Sequence, residues 1–277
     1  MAEAGAAHRA VNDPVKGSVW ALPPAAALSL SAFTLFGLQL PWLGYPLLLV
    51  GLIWAVLVST ELFKDLLLIG VGIAIVSTTN VEADVSWAGF IRIGLVLGLA
   101  LLVPLLIDRF VYRRRAIRFP WRGEGRRNRA ELAYMVAVPV LGWLILPFYY
   151  IRSGVYENWP HITDTSELLR FFVGVNAVGT WDELFFIATC FTLFRRHVPV
   201  WQANLLQATI FVSFLWELGY RSWGPLLTIP FALLQGFLFS RTKSLGYVLI
   251  VHLLFDAIVF MSIVHAHNRD WLPIFIY

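Results

Sequence analysis

The chain has 277 residues, of which 59% are hydrophobic and 14% charged, with a mean hydropathy of +0.73 and a formal net charge of +4. A soluble domain carries roughly 45–50% apolar and about 25% charged residues, so this composition excludes a soluble globular enzyme or a disordered chain and identifies an integral membrane protein. The lone cysteine, Cys190, excludes an internal disulfide framework.

Residues 1–21 mix Glu3, Arg9, Asp13 and Lys16 with small residues. No small-residue cleavage pattern trails the apolar run that follows, so they read as a polar tail rather than a removed signal peptide. Taking about 20 apolar residues per helical crossing, spans are expected near 22–40, 45–60, 66–77, 90–107, 132–151, 168–194, 201–218, 225–240 and 247–264. The second and third are short and fit either two tilted spans or a re-entrant hairpin. The expected fold is all-α, a polytopic transmembrane helical bundle of about eight or nine spans. It divides into the tail 1–21, N-terminal transmembrane helices over 22–108, a basic loop over 109–129 and a C-terminal bundle over 130–277. Pro104, Pro139 and Pro147 remove backbone donors within spans and predict kinks.

The loop 109–129 holds nine arginines and no lysine, which places it in the cytoplasm by the positive-inside rule. Alternation then puts Arg195, Arg196, Arg241 and Lys243 on the same side. Glu82, Asp84, Glu157 and Asp164 fall outside, with a cytoplasmic N-terminus and an outside tail over 265–277. Trp20, Trp42, Trp87, Trp201 and Trp271 sit near span ends, where amphipathic rings collect. Loop arginines account for the pI of about 9.4, so no nucleic-acid partner is expected. The expected partners are the lipid bilayer and a membrane-associated protein or peptide, and the expected location is a prokaryotic plasma membrane.

Within 168–194 two adjacent carboxylates, Asp182 and Glu183, interrupt an apolar run. Each costs on the order of 2.5–3.5 kcal/mol at the centre of a bilayer, so such residues face a bundle interior and mark functional sites. Glu217, His252 and Asp256 complete the intramembrane ionisable set of the second half. The first four spans hold almost none away from their ends and read as scaffold, with Arg92 snorkelling to the interface. His252 and Asp256 lie one helical turn apart and can hydrogen-bond on one face. Counting inward from Arg195 and Lys243 puts Glu183 and His252 at about 13–18 Å depth, so the two can meet. A carboxylate and an imidazole in a dry cavity are what water activation requires. The same residues also fit a polar pair joining two helices. Glu183, His252 and Asp256 fit a site for a divalent metal such as zinc as well, although no HExxH spacing is present. The pattern demands no other cofactor.

The order and spacing of these residues over about 168–260 resembles the CAAX-processing and bacteriocin-processing membrane endopeptidases, the CPBP or Abi family. That family carries Glu-Glu-x-x-x-Arg, Phe-x-x-x-His and His-x-x-x-Asn/Asp motifs on three helices of an all-helical bundle. Here Asp182-Glu183 with Ile187 stands for the first, Trp216 to Tyr220 for the second and His252 to Asp256 for the third. The segment from Pro230 to Gly246 also resembles the family's helix and basic turn before the third motif. Asp182 replaces a Glu, Ile187 the Arg and Tyr220 the His. The resemblance implies a membrane-embedded endopeptidase cutting lipidated, membrane-anchored or leader-bearing substrates. In that family the second Glu of the first motif and the His of the second activate the water, while the third-motif pair stabilises the oxyanion. The resemblance therefore implies a site built on Glu183 and His252, with the second-motif base lost at Tyr220 and with Asp256 holding His252 in one tautomer or, if protonated, donating to the oxyanion. Tyr220 and Asp182 complete the implied site, and Glu217 stands near enough to replace the lost base. The competing reading is a catalytically degenerate member that binds a partner membrane protein as a scaffold.

Overall fold

The computed structural model describes residues 19–123, 127–162, 164–270 and 272–277. Capping side chains start the helices where apolar runs begin. Ser59, Ser86, Asn128, Asp164 and Ser244 each accept a backbone N–H three residues ahead, which satisfies donors that a helix start leaves open. Prolines, which need no donor there, open three others. The described residues form α1 (Leu22–Ala32), α2 (Pro41–Val58), α3 (Thr60–Val76), α4 (Trp87–Leu106), α5 (Arg129–Ser153), α6 (Thr165–Asp182), α7 (Val200–Leu218), α8 (Pro225–Thr242) and α9 (Leu245–His267). No strand occurs among them. Wider π-helical turns extend α1 over Phe33–Gly37, α4 over Ile107–Val111 and α6 over Glu183–Phe191.

A helix occupies each of the nine expected spans, and the fold is an all-helical membrane bundle. Six helices, α1, α2, α4, α5, α6 and α9 with their extensions, are long and apolar enough to cross a membrane. The remaining three, α3, α7 and α8, pack beside them. The short second and third spans are separate antiparallel helices that break at extended Ser59, and the hydroxyls of Tyr45 and Ser77 meet at 3.0 Å at their far ends. α5 runs unbroken through Pro139 and Pro147. Trp20, Trp42, Trp87 and Trp201 are exposed, while Trp271 and the tail residues 1–18 lie outside the described residues.

Helices α2, α4 and α5 form the periphery and expose most of their apolar side chains, whereas α6 and its extension are the most buried segment. Its aromatic residues make the centre of the core. Trp181 stacks on Phe185 at 4.8 Å, Phe186 stacks on Phe211 of α7 at 4.4 Å, and Phe214 closes the cluster against Trp181 and Phe186. Such ring pairs contribute about 0.5–1.5 kcal/mol each beyond their area burial.

Two acidic residues of the first half correct the picture of a nearly uncharged scaffold. Asp65 on α3 and Asp108 beyond α4 are fully buried. Arg114 contacts Asp65 and, at 2.8 Å, Asp108. Arg196 and His197, from the turn after α6, each lie 2.7 Å from Oδ2 of Asp65. Oδ2 of Asp108 accepts the backbone N–H groups of Ala116 and Ile117. The network clasps the arginine-rich loop and both halves of the chain at one face of the bundle. The same loop also caps α9, because Leu245 and Gly246 donate to the carbonyls of Pro120 and Trp121, and Arg127 lies over the Tyr247 ring at 4.3 Å.

Removing one partner of a buried ion network leaves the others uncompensated, which costs about 3–5 kcal/mol in a fully buried setting and less where, as at Arg196, one cation reaches solvent. Asp65→Ala is therefore expected to destabilise the protein by about 2–4 kcal/mol, read as a lowered midpoint of thermal unfolding in detergent. Replacing Asp65 and Arg114 together by leucine and methionine should recover much of that loss.

Candidate active site

A cavity of about 330 Å³ lies among α4, α6, α9 and the Tyr220 turn. It reaches the exposed surface at Gly94 and Ala177, and Trp159 borders it. Its walls are largely apolar, with Asp84 and Arg170 among the lining residues, and near the middle of α9 Asp182, His252, Asp256 and Tyr220 line it together. All four are buried.

The structure brings four of the five expected residues to this wall and places Glu183 behind it. Successive helical side chains project about 100° apart, so two adjacent carboxylates cannot both face one cavity. Asp182 does. Glu183 is fully buried, and its Oε1 lies 2.7 Å from Nδ1 of His252 and 2.5 Å from Nε2 of Gln235. An ionised Glu183 accepts from Nδ1–H, and that contact leaves Nε2 of a neutral imidazole with its lone pair toward the cavity. There Nε2 stands 3.8 Å from Oδ2 of Asp182 and 3.7 Å from Oδ1 of Asp256. These gaps are too long for direct hydrogen bonds and fit a bridging polar atom. Oδ1 of Asp182 and Oδ2 of Asp256 are buried with no hydrogen-bond partner in the protein. Polar atoms so placed call for water or a substrate group.

Neighbouring rings hold the imidazole in place. Phe231 of α8 meets His252 edge-on with centroids 4.9 Å apart, and stacks on Phe255. Tyr220 does not sit within a helix, as the resemblance had implied. α7 ends at Leu218, and Gly219 adopts φ 133°, a conformation that glycine tolerates best. The reversal swings Tyr220 into the cavity, where its ring packs against Trp159 at 5.2 Å and Tyr150 at 6.2 Å. Glu217 is not on the cavity wall. It is buried and accepts the N–H of Val81, so it braces the loop after α3. Ile187, at the position of the family's Arg, is fully buried in the core.

The donor set Glu183, His252 and Asp256 does not fit a single metal ion. Glu183 engages Nδ1 of His252 and Asp256 faces Nε2, on the opposite edge of the ring, so one ion cannot reach all three. Among the described residues no group of three His, Cys, Asp or Glu side chains is arranged to hold a metal.

Gln235 is the site residue that a search for charges passes over. Its signal in the sequence is a polar amide within the apolar stretch from Pro230 to Phe239.

Close approach of α6 and α9 depends on Gly179. A Cβ there would overlap Oδ2 of Asp256 and stand 3.2 Å from Cδ2 of His252. Gly179→Ala is expected to cost about 1–3 kcal/mol, the usual cost of overpacking, seen as a lower unfolding midpoint in detergent. Gly174→Ala, where the nearest atom would be 3.9 Å away, should leave that midpoint unchanged.

Neither a curated protein nor a solved structure matches the chain. Residues 164–258 match the family model described as type II CAAX prenyl endopeptidase Rce1-like. That segment runs from the N-cap of α6 to two residues beyond Asp256 and so contains Asp182, Tyr220, His252 and Asp256. Over these residues the chain is similar to the CAAX-processing family of membrane endopeptidases.

Proposed function

We propose that this protein hydrolyses a peptide bond of a membrane-associated protein with a water held among Asp182, His252 and Asp256, while Glu183 orients His252 from behind. The observation that carries the reading is the approach of His252 Nε2 to Oδ2 of Asp182 and Oδ1 of Asp256 on the wall of one cavity, with the other oxygen of each carboxylate buried and without a hydrogen-bond partner in the protein. The family's pattern implies Glu183 as the activating carboxylate. Its position behind the imidazole favours Asp182 for contact with water and gives Glu183 the orienting role of the acid in a Ser-His-Asp triad.

In this reading the water gives a proton to Nε2 of His252 as its oxygen attacks the carbonyl carbon of the substrate. The nearby carboxylates stabilise the imidazolium so formed. The Tyr220 hydroxyl, on the same wall, donates to the oxyanion of the tetrahedral intermediate. Collapse breaks the C–N bond, and the imidazolium returns its proton to the departing amine. The substrate enters from the bilayer, since the cavity reaches the exposed surface at Gly94 and Ala177.

A partner-binding scaffold is the second reading, favoured by the aliphatic Ile187 and by Tyr220 where the family has Arg and His. Purified protein in proteoliposomes, offered a panel of lipid-anchored and transmembrane-anchored fluorogenic peptides, separates the two. Asp182→Asn and His252→Ala should each lower turnover by at least about 10²-fold, the usual worth of one acid–base or electrostatic group. Tyr220→Phe should cost less. No cleavage by the native protein, together with full complementation of a deletion strain by Asp182→Asn, supports the scaffold.

The arginine-rich face is assigned to the cytoplasm, with the C-terminal residues opposite, on the charge asymmetry of the loops. Cys190 is buried, so single cysteines introduced at Arg118 and Ile274 report on the two faces. A membrane-impermeant thiol reagent applied to intact cells should label the Ile274→Cys protein alone. Labelling of the Arg118→Cys protein alone reverses the assignment, and labelling of both refutes the opposite placement of the two segments.

A further inference from the structure

We infer that Gln235 is a positioning residue of the active site, the group that sets which nitrogen of His252 faces the cavity. Gln235 lies on α8 and is fully buried. Its Nε2 donates to Oε1 of Glu183 at 2.5 Å, the same oxygen that meets Nδ1 of His252 at 2.7 Å. A second bond runs from Nε2 to the carbonyl of Val248 at 3.3 Å. Val248 precedes His252 by four residues in α9, so its carbonyl also accepts the backbone N–H of His252. One amide thus grips the histidine twice, through the carboxylate at its ring and through the helical turn that carries it.

The chemistry at this position requires a neutral donor. Both atoms facing Nε2 are acceptors, a carboxylate and a carbonyl, so the amide orientation is fixed by its partners. A glutamate at 235 would set a second carboxylate against Glu183. An apolar residue would leave Glu183 with one donor fewer in a dry site, where an unsatisfied charged acceptor is costly. With Oε1 held by Gln235, the carboxylate is presented to Nδ1 in a single geometry, and Nε2 is turned toward Asp182 and Asp256. Release of that hold lets Glu183 rotate and the imidazole exchange tautomers, so that Nε2 carries the proton for part of the time and cannot accept one from water.

The platform for Gln235 is built separately. From α7, Asn204 and Gln207 donate to the carbonyls of Leu233 and Ala232, each at 2.9 Å. A Cβ at Gly236 would overlap Asn204. α8 is therefore fixed against α7 on the side next to Gln235, which lets a side-chain amide hold its register without support from the lipid.

The inference rests on the proposed hydrolase reading for its catalytic consequence, while its structural content is tested without turnover. Protein labelled with ¹⁵N-histidine and held in nanodiscs contains six histidines, few enough to assign by single substitution. The native His252 is expected to show Nδ1–H with an unprotonated Nε2, and Gln235→Leu to show a mixture of tautomers. Gln235→Met, closer in length to glutamine, serves if the leucine variant does not fold. If the native protein cleaves one of the anchored peptides, each variant should lower kcat about 10- to 100-fold, as small misplacements of a catalytic group do, with KM changed less than about threefold. A native-like ¹⁵N pattern in both variants overturns the role of Gln235, whatever the activity. An altered pattern in a protein that cleaves nothing leaves Gln235 in place and refutes the hydrolase reading.

Discussion

One carboxylate oxygen, Oε1 of Glu183, joins three helices in the buried interior of the bundle. It takes the ring of His252 from α9 and the amide of Gln235 from α8, and its own backbone continues α6. In hydrocarbon an acidic residue is retained only where partners compensate it, and those partners must come from neighbouring helices because the backbone donors of its own helix are engaged. The need to satisfy Glu183 therefore fixes the relative rotation of α6, α8 and α9. Everything on the cavity wall inherits its direction from that arrangement. Asp182, one residue earlier, is turned to the opening because Glu183 is turned away from it. The π-helical stretch that begins at Glu183 belongs to the same constraint, since wide turns of this kind recur where a helix must aim a functional side chain.

A second set of charges acts at the rim. Asp65 and Asp108 with Arg114, Arg196 and His197 form a buried network at the arginine-rich face, and the loop that supplies Arg114 also caps α9 through Pro120 and Trp121. The helix bearing His252 is thus anchored at its start by the segment that separates the two halves of the chain. This gives the N-terminal helices a part in placing the site although no residue before α4 reaches its polar wall, apart from the loop 81–85 at the border of the cavity. In both arrangements charge taken out of water meets specific partners, while at the centre one oxygen each of Asp182, Glu183 and Asp256 has none within the protein. At the rim those partners come from sequence-distant loops, and at the centre from adjacent helices.

The bundle was readable from the sequence because a span needs only length and apolarity, and capping residues mark where each begins. The approach of Glu183 to His252 was also readable, from depth counted along two helices and the four-residue spacing of His252 and Asp256. The orientation of the Asp182-Glu183 pair was not. Periodicity says that the two diverge but not which of them faces a partner helix. Tyr220 was assigned to a helix because the family motif sits on one, whereas Gly219 turns the chain before it. Asp65 and Asp108 lie near span ends and look in sequence like interfacial charges. Only the folded loop shows that Arg114 covers them. Gln235 carries no charge, so its cost when buried is visible only once its two acceptors are in view.

Gly94 and Gly98 line the cavity on α4, and a Cβ added at either would meet no atom within 4 Å. A methyl group can therefore be introduced there without displacing any neighbour, at the flank where the cavity reaches the exposed surface and away from Asp182, His252 and Asp256. The width of the entrance is in this sense an independent variable. Divergence at two positions of a peripheral helix can change the width of that opening while the polar wall of Asp182, His252 and Asp256 stays as it is.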